Sequence, residues 1–291
     1  MMPGFLYSYS YFRQAYENPI IQDKDDITTE HLRKLISPFV LRRLKKDVLK
    51  DLPDKLEETI CARLENEQQE LYKAHMQRLK MMLEHQSDEE FLHGKIMVLS
   101  ELMKLRQLCC DPALIYDGYN GNSAKTDLCI EMIQAAAESG HKILLFSQFT
   151  SMLNRLIQRL QKSGINYYLL TGATPKDERQ TLVERFQSDD TPVFCISLKA
   201  GGTGLNLTAA DIVIHYDPWW NEAVQNQATD RAHRIGQTNV VTVYKLIVQD
   251  TIEEKIQKLQ EEKKALADEL LSGSAISSPQ ISRSELIKLL S

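Results

Sequence analysis

Between Ser123 and Leu246 the sequence alternates between helical and strand-like segments, and this alternation constrains the fold more than any other feature. Five short apolar runs read as strands, at residues 142–147, 167–170, 193–197, 211–216 and 240–246. Four segments of helical length lie before or between them, at residues 123–139, 152–162, 175–187 and from 221 onward. Strands connected in this way pair in parallel. The sequence therefore predicts an α/β domain with a parallel sheet flanked by helices, over about residues 121–250.

Polar loops follow four of the predicted strands. They are Ser147-Gln148-Phe149-Thr150, Thr171-Gly172, Ser197-Leu198-Lys199 and Asp217-Pro218-Trp219-Trp220. Ligands of open parallel sheets gather beyond the carboxyl ends of the strands. We therefore expect the binding surface at this edge of the sheet, with the two tryptophans in an exposed loop.

Residues 197–237 contain the groups best suited to phosphate chemistry. Three glycines let the backbone turn tightly and approach a ligand closely; they are Gly201, Gly202 and Gly204. A helix predicted from Asn221 onward carries Arg231 and Arg234, whose spacing would direct both guanidinium groups from one helix face. Such a pair suits a polyphosphate or two carboxylates. Without further context, a surface salt bridge is the favoured interpretation of these two arginines.

Over residues 193–237 the sequence closely resembles the second motor lobe of the SWI/SNF-type ATPases, a branch of the superfamily-two helicases. Residues 197–207 (SLKAGGTGLNL) resemble motif V of that family, residues 217–221 (DPWWN) motif Va, and residues 227–237 (QATDRAHRIGQ) motif VI. The resemblance implies a RecA-like lobe of the P-loop NTPase helicases. It also implies a function in ATP-dependent translocation along double-stranded DNA.

The resemblance assigns roles to the residues of these motifs. Arg231 and Arg234 are expected to act as arginine fingers on the γ-phosphate of ATP, and Gln227 to couple that cleft to motif V. These three form the expected catalytic set. The residues expected to border the nucleotide are Gly202, Thr203, Gly204, Asn206 and Asp230. For His233 we expect a structural hydrogen bond rather than metal binding, and no metal site is predicted elsewhere.

The resemblance also implies that duplex DNA is held mainly at its phosphates. Hydroxyl groups, backbone N–H groups and one lysine suit contacts that do not depend on base sequence. The expected DNA-binding residues are Gln148, Thr150, Thr171, Gly172, Ser197, Lys199, Ala200 and Trp219. Movement along the duplex would follow from two lobes closing on ATP and reopening.

The chain divides into four expected parts. Residues 1–55 resemble the end of the family's first motor lobe and a basic linker, although a solvated basic helix is the simpler interpretation of residues 31–50 alone. Residues 56–120 resemble a helical protrusion, with apolar residues at helical spacing and a stop at Cys110-Asp111-Pro112. Residues 121–250 form the RecA-like lobe. Residues 251–291 are expected to be a brace helix, to about residue 270, and a flexible tail.

Two motifs of a complete ATPase are absent from the sequence. No G-x-x-x-x-G-K-[ST] occurs. Asp88-Glu89-Glu90-Phe91 superficially resembles an acidic magnesium box, but no buried strand precedes it, so we interpret it as a solvated loop. The resemblance implies that ATP and Mg²⁺ are held mainly by a first motor lobe in cis. It also implies that the present chain, which resembles the second lobe, does not hydrolyse ATP alone. The alternative is a stand-alone DNA- or protein-binding regulatory module, derived from a truncated helicase.

Composition bounds the remaining possibilities. The 43% hydrophobic and 26% charged residues are typical of a globular chain, and no apolar run approaches the roughly 20 residues of a membrane span. Five cysteines without C-x-x-C spacing favour a reducing cytosol. The resemblance implies the cytoplasm of a bacterium, near its nucleoid, or the nucleus if the chain is eukaryotic. The net charge of -5 argues against a uniformly basic surface, so DNA binding would use local basic patches. Chromosomal DNA with its bound proteins is the expected partner.

Overall fold

The computed structural model describes residues 6–22, 25–39, 52–200, 204–219, 222–258 and 261. The chain divides into two compact units, residues 1–50 with 259–280 and residues 51–258 with 281–291. The first unit contains short helices: α1 (Tyr9–Phe12), a π-helical turn (Arg13–Glu17), α2 (Asn18–Gln22), α3 (Asp26–Ile36) and a 3₁₀ turn (Ser37–Phe39). The helical segment continues through Asn18-Pro19, where the π-helical turn passes directly into α2.

The second unit is built on a parallel sheet of six strands. In chain order these are β1 (Lys55–Ala62), β2 (Ile143–Ser147), β3 (Tyr167–Leu170), β4 (Val193–Ser197), β5 (Ile212–His215) and β6 (Val241–Val248). Their order across the sheet is β1-β6-β5-β2-β4-β3, and every pairing is parallel. The predicted parallel α/β architecture is confirmed.

Helices cover both faces of the sheet. They are α4 (Asn66–His85), α5 (Asp88–Cys110), α6 (Ala124–Glu138), α7 (Thr150–Lys162), α8 (Lys176–Ser188), α9 (Glu222–Thr229) and α10 (residues 252–258), with a 3₁₀ turn at Pro112–Leu114. Along β2, Leu144 and Phe146 join one hydrophobic cluster with α8 and α9, whereas Leu145 joins the other with α6 and α7. The sheet is therefore buried on both faces, as its continuous apolar runs predict.

Two predictions for residues 56–120 are wrong in detail. Residues 55–62 form a strand and not the start of a helix, and this edge strand carries Glu57 between Lys55 and Lys245, at 2.5 and 2.8 Å. Most of its residues are exposed, and charged side chains of this kind suit the edge of a sheet. Asp88-Glu89-Glu90-Phe91 begins helix α5 and is not a loop. The rest of the segment is helical, and α5 ends at Cys110 as expected.

Part of the sequence predictions falls outside the described residues. The basic residues 40–51, most of the expected brace helix and the C-terminal tail belong to this set. Residues 252–258 are helical, as expected for the start of this segment, and its role as a brace stays a prediction. In the described ranges, no helix is both long and apolar enough to span a membrane.

Candidate nucleotide and nucleic-acid sites

The expected site residues lie at opposite ends of the parallel strands. Ser197 is level with Ser147 at the carboxyl ends, and Ile212 is level with Ile143 at the amino ends. A five-residue strand separates its first and last Cα atoms by about 13 Å. The expected DNA-binding residues follow the carboxyl ends, whereas Arg231 and Arg234 contact residues 205–207, close to the amino end of β5. The four loops predicted at the carboxyl edge lie there, and the arginines occupy a separate region.

One connection borders both regions. Residues 198–211 leave the carboxyl end of β4 and must reach the amino end of β5, because the two strands point the same way. Gly201, Gly202 and Thr203 of this connection lie outside the described residues. Gly204 is exposed and has φ +45°, a conformation that glycine adopts without strain. Asn206 is also exposed, and its carbonyl accepts a hydrogen bond from Gln187 Nε2 at 2.9 Å.

The arginines lie in a turn that follows helix α9. This helix ends at Thr229, so the prediction that Arg231 and Arg234 leave one helix face is wrong. The backbone instead makes short-range turns, with Arg231 N–H donating to the Ala228 carbonyl at 3.1 Å and Gln237 N–H to the Arg234 carbonyl at 3.0 Å.

Gln237 fastens this turn to the connection before β5. Its Nε2 donates to the carbonyls of Ala210 at 2.8 Å, Thr208 at 3.1 Å and Ala232 at 3.2 Å, and the side chain is buried. The Leu207 N–H also donates to the Arg231 carbonyl at 3.0 Å. Motifs V and VI therefore form one hydrogen-bonded layer. Sequence reasoning placed Gln237 in motif VI but gave it no role, because these contacts bridge some 27 residues.

Arg231 is buried yet carries a free donor. Only 8% of the residue is exposed, and within the described part of the chain its Nε has no hydrogen-bond partner. Burial and the nearby Arg234 lower the pKa of its guanidinium, while Asp230 opposes this shift. Arg234 is half-buried and donates Nη1 to the Leu205 carbonyl at 3.4 Å. Among the described residues neither arginine forms an ion pair, so the salt-bridge interpretation finds no support there.

The other expected residues of motif VI differ from the arginines in burial and in their contacts. Gln227 is exposed on α9, and Asp230 is half-buried directly after that helix. His233 makes the expected structural hydrogen bond, with Nε2 at 2.8 Å from the Pro53 carbonyl, just before β1. The described residues contain no group of three His, Cys, Asp or Glu side chains able to hold a metal ion.

At the carboxyl edge, Asp217 joins two of the loops that carry expected DNA contacts. Its Oδ1 accepts the Ser147 hydroxyl at 2.5 Å, and its two carboxylate oxygens lie 3.2 and 3.3 Å from the Gln148 N–H. Only 1% of Asp217 is exposed, and burial raises the pKa of its carboxyl group against the effect of Arg106. Ser147 in turn accepts the Leu198 N–H at its carbonyl, at 3.0 Å, which adds the loop after β4.

The expected DNA-binding residues differ in their access to solvent. Thr150, Gly172 and Lys199 are exposed, and Gln148 and Thr171 are half-buried. Ser197 and Ala200 are buried, with the Ala200 N–H donating to Ser197 Oγ at 3.4 Å, so neither side chain is presented at the surface. Trp219 is half-buried and packs against the hydrophobic core, which differs from the fully exposed loop expected. Trp220 lies outside the described residues.

Arg179 is a further residue of this edge that sequence reasoning missed. Its Nε donates to the Thr174 carbonyl at 2.9 Å, and its Nη2 lies 3.2 Å from the Gly172 carbonyl and 3.4 Å from that of Thr171. One guanidinium therefore shapes the loop after β3. Its position in the first turn of α8, just after that loop, was the only signal in the sequence.

Comparison with known proteins places these features in a family context. The helicase conserved C-terminal domain matches residues 124–236, and the SNF2-related domain matches residues 1–114. A Bacillus subtilis protein named YwqA, a candidate ATP-dependent helicase/translocase, is 43% identical over 279 residues, which cover 93% of this chain and 30% of that protein. The chain spans less than a third of the length of the curated relatives that it matches.

Solved structures of SWI2/SNF2 ATPases also match this chain. The Sulfolobus solfataricus SWI2/SNF2 ATPase core is 37% identical with a TM-score of 0.67, and the match covers 99% of this chain and 59% of that one. The same core in complex with double-stranded DNA matches with a TM-score of 0.64 and 37% identity, over 94% of this chain and 58% of that one. The C-terminal domain of that ATPase is 33% identical with a TM-score of 0.64, over 81% of this chain and 94% of that domain.

Proposed function

Because this chain belongs to the SWI2/SNF2 family and has the RecA-like lobe fold expected of it, we propose that it is the C-terminal motor lobe of an ATP-dependent double-stranded-DNA translocase. In this function Arg231 and Arg234 act on ATP held by a first motor lobe. The loops at the carboxyl edge of the sheet grip the DNA backbone. The protein works where chromosomal DNA is, in the bacterial cytoplasm or the eukaryotic nucleus.

The single observation that carries this proposal is the unpaired donor of Arg231. A buried guanidinium normally finds a carboxylate, since an unpaired buried charge is costly. Within the described residues Arg231 has no ion-pair partner, and the Gln237 contacts hold its turn in place. A preorganised cation of this kind suits an anion that arrives only when the site is complete.

The residues present fit the phosphate but not the metal. Arg231 and Arg234 supply the planar, permanently charged donors that match phosphate oxygens. No metal-binding cluster exists among the described residues, so we assign Mg²⁺ to the first lobe and derive no step from it. The chain's own contribution is to place positive charge at the nucleotide and to carry the motif V connection from that region to the DNA-facing edge.

Reconstitution with the first lobe tests the arginines. The 291-residue chain is mixed with the first motor lobe of a close relative and with duplex DNA, and ATP hydrolysis is measured for wild type, Arg231→Ala and Arg234→Ala. Loss of an arginine finger lowers kcat by about 10³-fold or more. Arg159→Ala is the matched control, since that arginine forms an exposed ion pair with Asp127 at 2.5 Å, away from the proposed site.

Three outcomes would contradict the proposal. Hydrolysis unchanged in both site variants would remove the arginine-finger roles. Brisk hydrolysis by the 291-residue chain without the first lobe would show that the nucleotide site does not depend on a second lobe. If the chain binds DNA but never supports hydrolysis with any first lobe, the stand-alone binding module becomes the better description.

A further inference from the structure

Arg106 is a buried cation on the helical segment that the proposed function leaves without a role. It lies near the end of α5, and 1% of the residue is exposed. Its Nη2 donates to the Pro218 carbonyl, and its guanidinium carbon lies 5.9 Å from the centre of the Phe149 ring. The residue therefore reaches from α5 to the loops that follow β2 and β5.

These two loops are tied together by Asp217, and Arg106 acts on the same carboxylate electrostatically. The positive charge of Arg106 favours the ionised form of Asp217 in a site where burial disfavours it. The ionised carboxylate accepts both the Ser147 hydroxyl and the Gln148 N–H. Arg106 thus contacts the backbone of one loop and stabilises the charge that holds the other.

We propose that Arg106 is a positioning residue. It holds the loops that contain Gln148 and Trp219 in the conformation that binds the DNA backbone. This inference rests on the proposed function, because the two loops matter here as DNA contacts. The next residue, Trp219, donates its backbone N–H to Gln225 Oε1 at 3.4 Å. Arg106 and Gln225 therefore fix consecutive residues of motif Va from two different helices.

The charged groups around Asp217 make the inference measurable by pH. Arg106 and Lys125 favour the carboxylate, Glu253 repels it, and Ser147 and Gln148 donate hydrogen bonds to it. Replacing Arg106 by an uncharged residue removes the first-named attraction. Asp217 then takes up a proton at higher pH, and the loop after β2 loses the acceptor that orders it.

The test measures DNA affinity as a function of pH with the 291-residue chain. Binding to a fluorescein-labelled 20-base-pair duplex is followed by anisotropy between pH 5.5 and 9 for wild type, R106M, R106K, D217N and R106M/D217N. DNA affinity should fall at low pH as Asp217 takes up a proton, and we call this fall the acid limb. We expect the acid limb of R106M to lie about 1 to 3 pH units above that of wild type, the range of an opposite-charge effect on a carboxyl pKa. R106K keeps the wild-type limb but binds several-fold more weakly at every pH, because lysine lacks the planar fork that meets the Pro218 carbonyl.

Controls separate this role from general stability. Arg155→Met breaks an ion pair with Asp111, just after α5, at 2.7 Å, and is expected to leave the pH limb where it is. D217N and R106M/D217N are expected to show no such limb and to resemble each other. Thermal unfolding of each variant at pH 7.5 identifies any that fails to fold, and if R106M is unfolded, R106K and D217N decide the question.

The outcomes distinguish the two proposals. A wild-type chain that binds no duplex at any pH overturns the proposed function. Wild-type binding with an unshifted limb in R106M, or undiminished affinity in R106K where R106M does not fold, overturns the role of Arg106. A limb that persists in D217N assigns the titration to another group and overturns it as well.

Discussion

The buried ion pair between Lys125 and Glu253 leads to the strongest prediction for stability. Lys125 Nζ lies 2.7 and 2.6 Å from the two carboxylate oxygens of Glu253, and neither side chain is exposed to solvent. Glu253 Oε2 also accepts the Val248 N–H at 2.9 Å. The pair therefore fastens the first turn of α10 to the first turn of α6 and to the end of β6.

Removing one partner should be far more costly than removing both. A single Glu253→Met or Lys125→Met replacement leaves an uncompensated buried charge, which costs about 3–5 kcal/mol. That is a large share of the roughly 5–15 kcal/mol that stabilises a typical domain. The double variant leaves no charge but deprives Val248 of its acceptor, so we expect it within about 2 kcal/mol of wild type.

Burial and charge also predict how these losses change with pH. Burial alone would lower the pKa of Lys125, but the Glu253 carboxylate outweighs it and raises the pKa. Burial raises the pKa of Glu253. In K125M the folded chain therefore binds a proton at Glu253 more readily than the unfolded chain does, so part of the lost stability should return as the pH falls.

Urea unfolding followed by tryptophan fluorescence provides the assay. Both tryptophans, Trp219 and Trp220, belong to the sheet-containing unit, so the signal reports that unit. Each single replacement should lower the urea midpoint by about 1 M or more, for a slope of up to 3 kcal/mol per molar. Single variants that lose less than about 1 kcal/mol, or a double variant that loses the sum of the two, would refute the assignment of a charged buried pair.

Three further predictions concern other residues. Burial lowers the pKa of His215 to about 3, so the unfolded chain takes up the proton first as the pH falls below 6.5. Between pH 7.5 and 5.5 wild type should lose about 1.4 kcal/mol that His215→Gln does not lose, and equal urea-derived losses would contradict this. Gln237→Ala should lower the free energy of unfolding by about 2–3 kcal/mol, since the buried carbonyls of Ala210 and Ala232 lose their donor; a loss below 1 kcal/mol in the same assay would argue against it. Lys199→Ala should lower the salt dependence of DNA binding, the slope of log K against log salt, by about 1, and an unchanged slope would show that Lys199 contacts no phosphate.

The sheet could be predicted from the sequence because its inner strands are continuous apolar runs. Every residue of β2 and β4 is buried, and such a pattern identifies strands without knowledge of their partners. β1 was missed because most of its side chains remain exposed at the edge of the sheet. Charged or polar residues occupy four of its first five positions, and nothing nearby in the sequence shows that β6 provides the pairing.

The identities of the site residues could be inferred from their motifs, but their arrangement could not. Spacing placed Arg231 and Arg234 on a helix, whereas that helix ends at Thr229. The His215 ring lies 2.8 Å from the Thr229 hydroxyl, and Gln237 donates to the Ala210 carbonyl, 27 residues away. These contacts come from residues distant in sequence, so local periodicity carries no record of them. The link from Arg106 to Pro218, across 112 residues, escaped prediction for the same reason.

The pairing of β1 with β6 has a consequence for how the chain is made. Lys55 pairs with Val241, so β1 cannot pair with β6 until 186 further residues have been synthesised. At synthesis rates of about 5–20 residues per second this wait lasts about 10 to 40 s. During that time the strand has an open edge that could recruit other nascent chains. The charges of Lys55, Glu57 and Glu58 would oppose such association, so they protect this weakly apolar segment before folding is complete.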